Sequence, residues 1–265
     1  MITVCLAGAT GWAGSELAKA IAGTSDVRVV AALARSSAGR VLGDVLGEPR
    51  LTASVYGSMT DALATPCDVF VEYTKPDSAK GNILAAIRHG AHVVVGTSGL
   101  TEDDFDEIDM AARGAKRGVL ACGNFAVTAV LLQRFAAAAA KHVPHWEIIE
   151  FAHDDKIDAP SGTAREVAAR LANVRNPQTT IPVAKTTGAP EARGATTSGS
   201  QVHSIRLPGY VISVEVIFGL PDQRLSIRHD SGNSAQPYVD GALLAIRKVS
   251  NLIGLHRGLD TVLDL

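Results

Sequence analysis

Near its N-terminus the chain reads Val4-Cys-Leu-Ala-Gly8-Ala-Thr-Gly11-Trp-Ala-Gly14, followed by Ser15-Glu-Leu-Ala-Lys-Ala-Ile-Ala, and few folds accommodate that succession. An apolar run ending on glycine predicts a buried strand, and the segment from Ser15 predicts a helix. Glycines at Gly-x-x-Gly-x-x-Gly spacing let the turn approach a pyrophosphate, whose charge then lies against the helix N-terminus. A turn of this kind can also serve only to join strand to helix; its place between those two elements, early in the chain, favours a dinucleotide. It nominates Gly8, Ala9, Thr10, Gly11, Trp12 and Ala13 as cofactor contacts and predicts a doubly wound parallel sheet over the first half of the chain.

A second predicted strand, Val27 to Leu33, ends at Ala34-Arg35-Ser36-Ser37. A fold of this kind that takes NAD carries an acid here for the ribose 2′-hydroxyl. A guanidinium and two hydroxyls with no carboxylate welcome a 2′-phosphate instead, so Arg35 predicts NADPH, with NADH possible. The alternative is that Arg35 is a solvated loop charge. Three further strand ends, at Glu72 to Pro76, Gly96-Thr97-Ser98-Gly99 and Cys122-Gly123-Asn124-Phe125, fall on the carboxyl edge where such a sheet holds its ligand.

The second half carries different chemistry. Residues 147–164 place a strand-like run ahead of His153 and Lys156, and a Ser161-Gly162-Thr163 turn behind them that opens the helix starting at Ala164. Taken alone, that turn is an ordinary N-cap. With a lysine point charge, a tunable imidazole, two hydroxyls and the N–H groups of a helix terminus, the segment describes an anion pocket suited to a carboxylate. Ala126 to Lys141 predicts an alanine-rich helix and Asn173 to Ser200 a long exposed loop. Three β-rich runs follow, Gln201–Leu207, Tyr210–Phe218 and Arg224–His229, with Pro208-Gly209 and Pro221-Asp222 as turns; the reading is adjacent antiparallel strands with helices to one side.

The segment from Glu150 to Ala164 resembles the signature Glu-x-His-His-x-x-Lys-x-Asp-Ala-Pro-Ser-Gly-Thr-Ala of dihydrodipicolinate (4-hydroxy-tetrahydrodipicolinate) reductases, keeping all of it except the first His, where Ala152 stands. Glu72-Tyr-Thr-Lys-Pro76 is similar to the family's Asp-Phe-Thr-x-Pro, Gly96 to Gly99 to its Gly-Thr-Thr-Gly, and Cys122 to Phe125 to its Ala-Pro-Asn-Phe; the likeness continues to Leu265. The resemblance implies a nicotinamide-dependent imine or enamine reductase of the diaminopimelate route to lysine. It implies an N-terminal Rossmann-type domain over 1–125, to which 241–265 return, and an α+β substrate and oligomerisation domain over 126–240 with a mixed or antiparallel sheet, assembled as a homotetramer. It also implies that Gly96, Thr97, Ser98, Cys122, Gly123, Asn124 and Phe125 face the nicotinamide and that His153, Lys156, Ser161, Gly162 and Thr163 hold a dicarboxylate-type substrate. The family's first His is its proton donor or acceptor, so Lys156 is the best remaining catalytic acid. Two more departures, Ile212-Ser213-Val214 for Ala-His-Gln and Gly232 to Gln236 in place of an Arg, are expected to reshape the same pocket as Ala152.

A chain of 265 residues, 46% apolar, can bury a large core. A net charge of −2 without basic clusters gives no footprint for nucleic acid or an anionic membrane. No run approaches a membrane span and no leader-like stretch stands at the start, so a cytoplasmic protein is expected. Cys5, Cys67 and Cys122 have no metal-ligand spacing. Three functions stay open at this point: reduction of 4-hydroxy-tetrahydrodipicolinate, reduction of another carboxylated cyclic imine, or cofactor binding without catalysis.

Overall fold

The structure, a computed structural model, describes residues 1–264. The chain forms two compact units, Met1–Val127 with the chain from Ser234 onward, and Thr128–Asn233.

The first unit alternates strand and helix: β1 (Ile2–Ala7), α1 (Trp12–Ala22), β2 (Val27–Leu33), α2 (Leu42–Leu46), β3 (Ser54–Tyr56), α3 (Met59–Leu63), β4 (Val69–Glu72), α4 (Pro76–Arg88), β5 (His92–Val95), α5 (Glu102–Ala115) and β6 (Gly118–Ala121). Helices on both faces leave the middle strands no solvated side, which is why β1 from Val4 to Ala7 and β4 throughout are apolar and buried, Glu72 being the exception in composition. α1 buries Gly14, Leu17, Ala18 and Ile21, the i, i+3, i+4, i+7 stripe of a helix with one apolar face. α5 starts at a capping box between Thr101 and Asp104, with Glu102, Asp103 and Asp104 in its first turn against the positive end of the helix.

All seven strands of this unit are parallel, in the order β3-β2-β1-β4-β5-β6-β12, where β12 is Gly254–Arg257. The winding direction reverses between β1 and β4. A sheet of this kind binds ligands in the crevice outside its carboxyl ends at that reversal, so topology places a site beside Gly8.

The second unit holds α6 (Val127–Ala140), β7 (His145–Ala152), α7 (Gly162–Ala172), β8 (Ala195–Thr197), β9 (Ser200–Arg206), β10 (Ile212–Leu220) and β11 (Gln223–Ser231); α8 (Val239–Lys248) follows in the first unit. Its sheet runs β11-β10-β7-β9-β8 and is mixed, since β7 and β9 are parallel and the other pairs antiparallel. One alternating set of β7, Trp146, Ile148, Glu150 and Ala152, is buried. Trp146 and Ile148 share a core with Ala136 and Ala140 of α6 and Val167 and Leu171 of α7, so the small side chains of the alanine run allow close helix-on-sheet packing.

Two expectations are corrected. β9 and β10 are not neighbours, because β7 lies between them and pairs with both. The Leu207 N–H donates to the Ala152 carbonyl at 3.1 Å, prolonging the pairing to β7, and Pro208-Gly209 belongs to a loop that passes the end of β7 rather than to a hairpin. Local turn residues mark a reversal but do not count the strands it spans. The segment from Asn173 to Ser200 is also not all loop: it contains β8 and two short 3₁₀ turns, Val183–Lys185 and Pro190–Arg193.

A Cβ added at Gly14 would lie 2.2 Å from the Gly8 carbonyl oxygen, so α1 meets the turn by backbone contact alone. Gly14→Ala is therefore expected to lower stability by about 2–3 kcal/mol, as overpacking does. At Gly81 in α4 an added Cβ meets nothing within 4 Å, and Gly81→Ala should raise stability by about 0.5–1 kcal/mol. Thermal denaturation of the two variants checks both signs.

Candidate active site

At the reversal point Gly8 follows β1 with φ +75°, and a Cβ there would lie 2.2 Å from the Tyr73 carbonyl oxygen. The Gly11 N–H donates to the Gly8 carbonyl at 2.9 Å. Gly11 then caps α1 with no side chain, and the first turn of α1 holds no acid. The N–H groups of Trp12, Ala13 and Gly14 are left without a helical acceptor, an arrangement that attracts an anion.

A cleft of ≈ 710 Å³ in this unit is lined by Gly8, Thr10, Gly11, Arg35, Ser36 and Lys75 among others, with Asp77 its one acid among the described residues. Neither Arg35 nor Lys75 forms a side-chain ion pair among the described residues. Two cations without an ion-pair partner beside a bare helix terminus suit the phosphates of a nicotinamide dinucleotide, so the residues fit that cofactor.

A second cleft of ≈ 320 Å³ is lined by Trp12, Ala13, Gly96, Thr97 and Ser98, and on its other side by Cys122, Gly123 and Phe125. Its walls are aromatic: Tyr73 meets Phe125 edge-on at 5.9 Å and Trp12 meets Tyr238 at 5.7 Å. Gly96 is required because a Cβ would lie 2.2 Å from the Tyr73 ring. Two of the nominated contacts line neither cleft: Ala9 is fully buried in the turn, and the Asn124 side-chain Oδ1 accepts from the Ala126 N–H at 2.8 Å.

Sequence reading set Glu72 to Pro76 on the ligand edge of the sheet but gave the Glu72 carboxyl group no role of its own. Glu72 closes β4 with no exposure; its Oε1 accepts from the Thr74 N–H at 2.7 Å, from the Thr74 hydroxyl and from the Thr97 hydroxyl at 3.3 Å, and its Oε2 from Asn82 Nδ2 at 2.9 Å. Burial pushes its pKa above the ordinary range, and the hydrogen bonds offset only part of that shift. An acid at the end of an otherwise apolar strand was the available signal.

In the second unit the segment carrying His153 and Lys156 joins β7 to α7. Lys156 Nζ lies 2.6 Å from Asp158 Oδ1, and that ammonium holds the Asp158 carboxyl below its usual value. His153 is exposed, with Nδ1 2.9 Å from both Asp154 and Asp155. Ser161 faces inward: its hydroxyl accepts from the Ala164 N–H at 3.3 Å and its own N–H donates to Glu150 at 3.0 Å. The N–H groups of Gly162 and Thr163 remain as the open donors of the α7 terminus.

The brace under this loop was also missed. The fully buried Glu150 accepts at Oε1 from Ser161 N–H, from the Ser204 hydroxyl at 2.6 Å and from Arg206 Nη2 at 2.7 Å. Arg206 also donates to the Asp158 carbonyl at 2.6 Å, so one ion pair fixes both ends of the loop carrying Lys156. Ala152 pairs with Ile212 and Arg206 on the same inner face and has no exposure. Ser213 pairs with Phe151, one residue out of phase, and its hydroxyl donates to Asp230 at 2.7 Å. Alternation therefore sets Ser213 on the face opposite Ala152, while Ile212 shares the Ala152 face.

Burial raises the Glu150 pKa, but hydrogen bonds from Ser161, Ser204 and Arg206 outweigh it and leave the net value below the ordinary 4.5. A depressed carboxylate adds stability above its unfolded pKa and loses it as pH falls through the folded value. Arg206→Met should thus cost about 3–5 kcal/mol at neutral pH, the scale of breaking a buried pair. Melting curves from neutrality to about pH 3 should show the gap from wild type closing in acid as Glu150 takes up its proton.

Residues 2–125 match the family described as dihydrodipicolinate reductase, N-terminus, and residues 128–263 its C-terminus. The 4-hydroxy-tetrahydrodipicolinate reductase of Desulfitobacterium hafniense (strain DSM 10664 / DCB-2) is 38% identical over 265 residues, covering 99% of both chains. That of Synechococcus elongatus is 39% identical over 270 residues, covering 99% of this chain and 98% of the other. Among solved structures, the dipicolinate-bound dihydrodipicolinate reductase from Paenisporosarcina sp. TG-14 superimposes with a TM-score of 0.88 at 31% identity, over 99% of this chain and 100% of that one. With both halves matched, and relatives aligned over nearly the full length, the chain belongs to the dihydrodipicolinate reductase family.

Proposed function

We propose that this protein reduces 4-hydroxy-tetrahydrodipicolinate to tetrahydrodipicolinate, on the route to diaminopimelate and lysine, using NADPH in preference to NADH. The observation that carries the reading is family membership along the whole chain, together with a relative solved bound to dipicolinate. The bound nicotinamide supplies the hydride. The first unit's contribution is to hold the dinucleotide: the α1 terminus neutralises the pyrophosphate, and Arg35 and Ser36 take the 2′-phosphate that distinguishes NADPH. Gly96, Thr97, Ser98, Cys122, Gly123 and Phe125 enclose the ring in the smaller cleft.

The second unit holds the substrate's carboxylates. Lys156, already paired at 2.6 Å with Asp158, exchanges that carboxylate for one on the substrate, while His153 and the N–H groups of Gly162 and Thr163 take the remaining negative charge. Ser161 acts through the cap that aims those N–H groups. Lys156 is also the proton donor, the role that Ala152 cannot perform. The same reading gives a cytoplasmic homotetramer assembled through the five-stranded sheet, where Leu220 and Leu225 are exposed on the β10–β11 hairpin.

Calorimetric titration tests the cofactor assignment: Arg35→Ala should weaken NADPH by about 1–3 kcal/mol and leave NADH unchanged. Equal NADPH affinity in the variant would contradict it. For the proton donor, Lys156→Arg should keep the charge but lower kcat by about 10²–10⁴-fold, because a guanidinium does not release its proton. Full turnover by this variant would make Lys156 a charge alone.

A further inference from the structure

In the second unit Asp158 stands between two cations. Its Oδ1 lies 2.6 Å from Lys156 Nζ and its Oδ2 3.8 Å from Arg165 Nη1, so each oxygen faces a different side chain. Lys156 is the chief cause of the lowered Asp158 pKa, and Arg165 lowers it further. The main chain that carries this carboxylate is fixed. Arg206 donates to the carbonyls of Lys156 and Asp158, at 3.4 and 2.6 Å, and Arg165 Nη1 donates to the Pro160 carbonyl. None of these bonds uses the Asp158 side chain, which can turn between its two cations while the loop stays in place. Bringing Oδ2 from 3.8 Å to hydrogen-bonding distance of Arg165 takes a shift of about 1 Å. A guanidinium presents its N–H groups as a fork, so Arg165 can keep the Pro160 carbonyl and still receive a carboxylate. Its Nη2 lies 3.8 Å from where a Cβ on Gly162 would stand, which sets the fork beside the first turn of α7.

We propose that Asp158 is the resident carboxylate of this anion pocket, and that Arg165 is the positioning residue that takes it over when a carboxylate of the substrate claims Lys156. This rests on the reading of Lys156 as a substrate contact given above. With Arg165 in place, the exchange of partners leaves no carboxylate unpaired. Without it, the displaced Asp158 stays beside Lys156 as a competing and repelling charge. Lys156 and Asp158 are each about one-third exposed, at 32% and 38%, so the competition is worth a few-fold in affinity.

The test is calorimetric titration of dipicolinate into the full-length protein, with NADPH present, for wild type, Asp158→Asn, Arg165→Met and the double variant. Asp158→Asn removes the competitor and should tighten binding by about two- to fivefold, the worth of a partly exposed ion pair. Arg165→Met should weaken binding by about the same factor, because Asp158 is left with Lys156 alone. In the Asp158→Asn background that loss should largely vanish, since there is no longer a carboxylate for Arg165 to receive. An equal loss in both backgrounds would overturn the proposal, because Arg165 would then touch the ligand itself, brace the loop or act as a distant charge. Unchanged or weaker binding by Asp158→Asn would overturn it as well. Glu166→Gln removes one negative charge from the position after Arg165 in α7 and should leave the affinity unchanged; tightening equal to that of Asp158→Asn would reduce the effect to net charge and refute the exchange. Failure of wild type to bind dipicolinate at all would instead remove the substrate reading, and the proposal with it.

Discussion

Three backbone segments meet at the head of the first sheet without a side chain between them. Gly8, Gly14 and the Tyr73 carbonyl approach so closely that a single methyl group at either glycine would overlap backbone atoms. That contact sets α1 against the end of β1, leaves its first-turn N–H groups bare, and holds β4 alongside at the point where the winding reverses. Both clefts of the unit open beside it, because the reversal of winding in a doubly wound sheet leaves a crevice outside the carboxyl ends of its strands.

Each unit then uses a fully buried glutamate at or near the end of a strand to organise the loops that follow. Glu72 gathers Thr74, Thr97 and Asn82; Glu150 gathers Ser161, Ser204 and Arg206. Their electrostatics differ. Glu150 has a guanidinium and is held below the ordinary carboxylate range, whereas Glu72 has only neutral donors and burial holds it above. A brace with a charged donor fixes geometry strongly and weakens in acid; Glu72, held by neutral donors, depends on no ion pair.

The parallel sheet was legible because its strands are continuous apolar runs and its glycines stand at fixed spacing between strand and helix. That Lys156 and His153 share one loop with the Ser161 turn was legible because all three sit in one unbroken segment. What sequence could not supply was pairing across long separations: β7 inserts between β9 and β10, and Arg206 reaches Glu150 across 56 positions. Direction was hidden too. Ser161 reads equally well as a ligand contact or a cap, and only its burial shows the hydroxyl turned inward. The absent histidine at Ala152 and the serine at Ser213 looked like neighbours in one pocket until the strand register separated them by a sheet.

Ala152 leaves the central chemical claim resting on a protein that lacks its family's first signature histidine and yet keeps the lysine, the α7 terminus and the brace beneath them. The most direct measurement is the initial rate of NADPH oxidation by the purified protein when 4-hydroxy-tetrahydrodipicolinate is generated in place by the preceding synthase reaction. The account predicts oxidation that requires the substrate, saturates with it and is competitively inhibited by dipicolinate. A folded protein that binds NADPH but shows no substrate-dependent oxidation would contradict it.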